Sequence, residues 1–141
     1  MPRIKPGNLP RSARIPNAIA PNEDVPLRFS FKLLDLYSNR KFCVDHCQDG
    51  YLDRFLCRLR DLCALSVKDF RTNKSKSLRA HRITWPDTSE PAGFARLNAQ
   101  MREEEAWQFE ITSNEHGRVH GLLQDDTFFI VWIDPTHALY P

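Results

Sequence analysis

The chain has no run approaching the roughly 18 apolar residues of a membrane span. Its start, MPRIKPGNLP, has no apolar core of the kind that drives secretion. The expectation is a cytoplasmic chain that neither spans nor enters a membrane. A Gly-rich phosphate loop, HExxH, GxSxG and a dinucleotide fingerprint are all missing. Nucleotide-dependent and hydrolase-triad chemistry therefore have no sequence support. Cysteine is sparse, at positions 43, 47, 57 and 63. Structural zinc takes two closely spaced ligand pairs, and only Cys43 and Cys47, with His46 between them, make one. Free thiols are the reading, ahead of a zinc module on Cys43, His46 and Cys47, and ahead of a cytoplasmic disulfide. No metal and no small-molecule cofactor is expected.

What is present is a 141-residue chain, 41% hydrophobic and 27% charged. That describes one globular domain, large enough to fold without a metal or disulfide staple. A net charge of +2 looks too weak for a nucleic-acid partner, but it is unevenly spread. Residues 1–26 hold Arg3, Lys5, Arg11 and Arg14 against Glu23 and Asp24, together with six of the ten prolines. Such a segment buries too little apolar surface to offset its ordering entropy. It reads as a flexible Pro-rich arm, either a solvated leader or an arm that touches RNA or a partner. Residues 27–141 form the domain, with 16 charges of each sign. Within it, Lys68, Arg71, Lys74, Lys76, Arg79 and Arg82 face one acid, Asp69, a local +5. That density suits a phosphate backbone, although a solvated loop has the same look.

Periodicity supplies the elements. Leu27, Phe29, Phe31 and Leu33 alternate as in a half-buried strand. Leu52, Phe55, Leu56, Leu59 and Leu62 recur at helical spacing from Tyr51 onward. Ser66 and Asp69 open a second, short helix that ends near Asn73, and residues 94–105 have room for another. Trp107–Ile111, Arg118–Leu123 and Thr127–Ile133 read as strands joined by turns at Asn114–Gly117 and Gln124–Asp126, short enough to force antiparallel hairpins. The run Phe128–Ile133 suggests a central strand covered on both faces. The expected fold class is α+β, a small antiparallel sheet with two N-terminal helices packed on it, in the order strand-helix-helix-strand-strand-strand.

Three histidines, His116, His120 and His137, lie in or beside the terminal hairpins. Arg118 and His120 sit two apart on one strand and so share a face. An Arg and a His on one sheet face can hold a phosphate and move a proton, the requirement for RNA cleavage through the 2′-hydroxyl. They can equally be a satisfied surface pair.

The segment from Trp107 to Pro141 resembles the C-terminal half of the RelE/ParE toxin superfamily, most nearly its YoeB/Txe branch. The resemblance is carried by Trp107–Thr112, Glu115-His-Gly-Arg118, Asp125-Asp126, Phe128–Ile133, and His137 with Tyr140. Gly117 is an insertion relative to that pattern, and two residues separate His137 from Tyr140. The resemblance implies a RelE-like scaffold and a ribosome-dependent endoribonuclease that cleaves mRNA and is neutralised by an antitoxin protein. On that reading Arg118 stabilises the scissile phosphate, His137 is the general acid and Tyr140 positions substrate. Glu90 is the first candidate for the general base and Glu103 the second, while His120 joins the catalytic set. Lys74, Lys76, Arg79 and Arg82 would track the RNA backbone. The alternative is a non-catalytic module that holds a protein or nucleic-acid partner on the same fold.

Overall fold

A computed structural model describes residues 24–72, 79–112 and 115–141. Residues 1–23 of the expected arm lie outside the described residues, as do Lys74 and Lys76. The fold is α+β. It is built on a five-stranded sheet in the order β1-β5-β4-β3-β2, with β1 Arg28–Ser30, β2 His81–Arg82, β3 Glu105–Glu110, β4 Arg118–Gln124 and β5 Thr127–Asp134. The helices are α1 Tyr51–Cys63, α2 Val67–Arg71 and the single turn α3 Ala99–Arg102.

Two expectations about the sheet need correcting. It is mixed rather than wholly antiparallel, because β1 runs parallel to β5, with Phe29 opposite Phe128. The chain from β1 to β5 is long enough to return in either direction, so no tight turn fixes the sense of that pair. The sheet also has a fifth strand, the two-residue β2, which pairs His81 with Gln108 and Arg82 with Trp107. The alternating run after Leu27 also outlasts its strand. The pairing ends at Ser30, and Phe31 is half exposed. At the other end of β1, Leu27 and Val67 amides donate to Leu65 and Val25 carbonyls, tying the strand entry to the start of α2.

Both longer helices cover one sheet face. Tyr51, Phe55, Leu59 and Leu62 form the buried stripe of α1, and Ser66 caps α2 by accepting the Asp69 amide at 3.0 Å. Phe70 from α2 meets Phe109 of β3 and Phe128 of β5, with centroids 6.3 and 5.8 Å away. All three rings are fully buried. Each such side chain contributes about 1.5–3 kcal/mol on burial, so this cluster anchors the helices to the sheet. Arg58 adds a directed tie from α1, donating from Nε to the Ile111 carbonyl at 3.0 Å.

The opposite face carries a second apolar cluster of Phe42, Ile83, Phe94, Leu122, Val131, Trp132 and Leu139. Phe42 stacks on Trp132 at 4.4 Å, and Phe94 packs edge-on against the same ring at 4.8 Å. Between β4 and β5 the register shifts at His120/Gly121. A Cβ on Gly121 would stand 2.1 Å from the Phe129 carbonyl oxygen, so only glycine permits this approach. Gly121→Ala is expected to lower stability by about 2–3 kcal/mol through forced strand separation. Urea midpoints at constant m-value would measure it, and a loss under about 1 kcal/mol would mean that the bulge relaxes freely.

Candidate functional site

The bulged face is where the polar groups gather. Register places Gln108 opposite His120 and His120 opposite Trp132, with His81 opposite Gln108 at the edge. These four residues form one row across β2, β3, β4 and β5. The neighbouring row is Glu110, Arg118 and Asp134. Sequence periodicity puts Arg118 and His120 on one face, and the structure keeps them there. Their surroundings are the new information.

His120 is completely buried, with Nε2 2.9 Å from the Asp134 carboxylate, itself buried. Burial disfavours the charged ring and pushes the His120 pKa down, and this outweighs the pull of Asp134. Burial also works against ionised Asp134. The hydrogen bond from His120 and the Ala138 and Leu139 amides outweigh it and hold that carboxyl below its ordinary range. The pair is therefore a neutral imidazole donating from Nε2 to a carboxylate. A catalytic role for His120 is corrected accordingly: its ring is sealed under Phe42 and Trp132 and touches no solvent.

What the pair does is shape the C-terminal turn. Asp134 accepts the Ala138 amide at 2.7 Å and the Leu139 amide at 3.0 Å. This pulls Leu139 into the apolar cluster and leaves His137 and Tyr140 half-buried on either side. His137 takes a left-handed conformation, φ 59°, to make the turn. Gly117, the insertion before Arg118, has its own reason. It sits at φ 70°, and a Cβ there would stand 1.9 Å from the Asp134 carbonyl oxygen.

Tyr140 then lies against His81, ring centroids 5.8 Å apart, and its hydroxyl accepts the Thr84 amide at 2.9 Å. His81 Nε2 is 2.8 Å from the Gln108 side-chain nitrogen. Arg118 donates to Glu110 at 3.3 Å, and Arg79 approaches the same carboxylate oxygen at 3.7 Å. The Glu110 carboxylate is only 2% exposed, so it draws two guanidinium groups onto one spot of the sheet. Among the described residues, Gln108 Oε1, Glu110 Oε1, Arg118 Nε and His120 Nδ1 are buried and have no hydrogen-bond partner. These four atoms lie together on one face, where buried polar groups are ordinarily paired.

The remaining expected residues stand in different relations to this patch. Glu90 forms an ion pair with Lys41, and its neighbour Ser89 bonds both to the Ala138 carbonyl and, through its amide, to the Leu139 carbonyl. Glu90 is thus beside the C-terminal turn but engaged by a lysine. Glu103 is exposed at the end of α3, seven residues before Glu110 along the chain, on the order of 20 Å away at strand rise. Arg82 is exposed on the edge strand next to His81 but pairs with Trp107, so its side chain leaves from the other face of the sheet, on the side of Glu105.

His81, Gln108 and Glu110 belong to the patch and were not among the expected site residues. Only pairing of the two-residue β2 brings His81 to Gln108. Two buried polar residues in an apolar strand, Gln108 and Glu110 in AWQFEI, were the one hint available.

The other singled-out groups lie apart. His116 is buried against Tyr51. All four cysteines are free thiols, Cys43 donating to the Arg40 carbonyl. Among the described residues no cluster of three or more His, Cys, Asp or Glu stands ready to hold a metal, and no helix is long and apolar enough to cross a membrane. Comparison of the chain with protein-family models, characterised proteins and solved structures finds no match.

The buried pair makes stability depend on pH. Unfolded His120 takes up a proton below its ordinary pKa of about 6.5, while the folded ring resists it. Stability is therefore full above that value and falls as pH drops toward the depressed folded pKa. His120→Gln keeps a donor for Asp134 but has no proton to gain. Its urea midpoint is expected to change less between about pH 7.5 and about pH 5 than that of the parent. Equal pH slopes would assign the acid sensitivity to other groups.

Proposed function

We propose that this chain is a toxin-like endoribonuclease on a RelE-like scaffold, cleaving mRNA at the ribosome by metal-independent acid–base chemistry and held in check by an antitoxin partner. The observation that carries the reading is the polar patch itself. It combines clustered guanidinium groups, a tyrosine hydroxyl and an imidazole on one sheet face beside a turn that bears a second histidine. Attack of a 2′-hydroxyl on phosphorus needs those functions: positive charge where the phosphorane forms, a proton acceptor and a proton donor.

In this reading Arg118 leaves Glu110 for a non-bridging phosphate oxygen, with Arg79 drawing in the flanking backbone. Tyr140 already uses its oxygen as an acceptor for the Thr84 amide. Its own hydrogen is therefore free to give to the phosphate, which positions the scissile group. His137 is the donor to the leaving oxygen. Lys74, Lys76 and Arg82 keep the backbone-tracking role suggested by charge alone. The completed transfer yields a 2′,3′-cyclic phosphate and a 5′-hydroxyl.

The rival reading, a non-catalytic module, draws on the same Arg118–Glu110 pair, which is fully compatible with a resting structural contact. The two part on product. Induced expression is expected to arrest growth, and ribosome-bound mRNA is expected to be cut in excess chelator. Arg118→Ala lowers cleavage by about 100- to 1,000-fold with the fold intact by circular dichroism. Tyr140→Phe, which loses only the hydroxyl, is expected to fall between parent and Arg118→Ala. A salt-sensitive RNA complex without cleavage would establish the binding module instead, and equal toxicity of parent, Arg118→Ala and His137→Ala would refute the assigned mechanism.

A further inference from the structure

Neither nitrogen of the exposed His81 ring is free to choose its role. Nδ1 lies 2.9 Å from the Arg82 carbonyl, which only an N–H can satisfy. Nε2 is then the unprotonated nitrogen of the neutral ring, and it accepts from the Gln108 amide nitrogen at 2.8 Å. Gln108 is fully buried on the central part of the sheet, so its reach is fixed. Its other atom, Oε1, is buried and has no partner among the described residues.

We infer that His81 is the proton acceptor of this site and that Gln108 is its positioning residue, an assignment that rests on the RNA-cleavage reading above. The orphaned oxygen is the reason. Turned half a revolution about its last bond, the Gln108 amide presents Oε1 where its N–H had been. The same side chain thus serves the neutral ring as a donor and the protonated ring as an acceptor. A carboxylate there would favour the charged ring throughout, and an apolar residue would hold neither form. A group that must take up a proton and then release it is suited by a neighbour satisfied in both states.

The charges that face His81 are known from each packed element. Arg79 lies just before its strand, while Arg82, the next residue, points to the other face. Glu110 and Arg118 lie one row along on β3 and β4, and Tyr140 contacts the ring from the C-terminal segment. His120 stands behind Gln108 and stays neutral in its buried pair.

In the step itself, the substrate 2′-hydroxyl displaces the Gln108 amide at Nε2. Its O–H bond breaks as the Nε2–H bond forms, and the freed electron pair on O2′ makes the new bond to phosphorus. The P–O5′ bond breaks, and O5′ takes the proton given by His137. Gln108 Oε1 receives the new N–H until His81 returns its proton to solvent and His137 regains one.

Single-turnover cleavage of mRNA on programmed ribosomes by the full chain tests the assignment. His81→Ala should slow cleavage by about 100-fold or more and regain part of its rate with added imidazole. Gln108→Leu should lower the rate at unchanged KM. In ¹⁵N spectra of the free protein it should also shift the Nε2 resonance, which loses its hydrogen-bond donor, while hydrogen stays on Nδ1 against the Arg82 carbonyl. His81→Ala cleaving within twofold of the parent, while Arg118→Ala is inactive, would overturn the role of His81 and leave the nuclease reading standing. A folded parent that cuts no RNA would overturn both. If Gln108→Leu does not fold, imidazole rescue of His81→Ala decides the matter alone.

Discussion

Everything at the bulged face depends on the buried hydrogen bond between His120 and Asp134. Two polar side chains sit at the centre of a sheet where apolar residues would pack with less desolvation cost. They are tolerated because each satisfies the other and because Asp134 has two further amides to receive. That second function fixes the residues after the last strand, sending Leu139 inward and Tyr140 toward the edge strand. It acts together with Ser89, which binds the Ala138 and Leu139 carbonyls, and with the Thr84 amide on Tyr140. The bond is thus a strut that sets where the surface groups stand, and it works from beneath them.

The two faces of the sheet divide the labour. Helices α1 and α2 press an aromatic core onto one face, the larger of the two apolar clusters. The other face is apolar at one end and polar at the other. Buried acceptors and donors cost free energy when left unpaired, so a fold selected for stability alone would replace them. Their grouping beside two guanidinium groups, an imidazole and a phenol is what the proposed chemistry rests on. It supports a site for a phosphodiester more directly than the net charge does, since a +2 total is a poor guide to a field concentrated at one edge.

Much of the scaffold was legible in the sequence. The terminal strands were, because the Asp125-Asp126 turn leaves the chain no route except an antiparallel hairpin, with Asp125 at φ 56° accepting the left-handed position. Helix α1 was, through its apolar stripe. Strand β2 was not, since two residues carry no period, and the parallel sense of β1 depends on a long connection with no local signal. The site divides the same way. Arg118 and Tyr140 were found by motif and reach the patch. His120 shared their face, but its burial depends on Phe42 and Trp132 packing from distant parts of the chain. Glu90 was chosen for its residue type, and Lys41, 49 residues earlier, engages it instead. His81 and Gln108 meet only through pairing that local sequence does not encode.

The most direct test of the central claim is where RNA touches the protein. Chemical-shift mapping of the full chain against a single-stranded RNA, 2′-O-methylated so that it cannot be cut, would report that contact residue by residue. The account predicts that the largest shifts fall on His81, Gln108, Arg118 and Tyr140, with His137 beside them, and that the α1 face stays silent. Shifts confined to α1 and α2, or none at concentrations where a basic control protein binds, would contradict it.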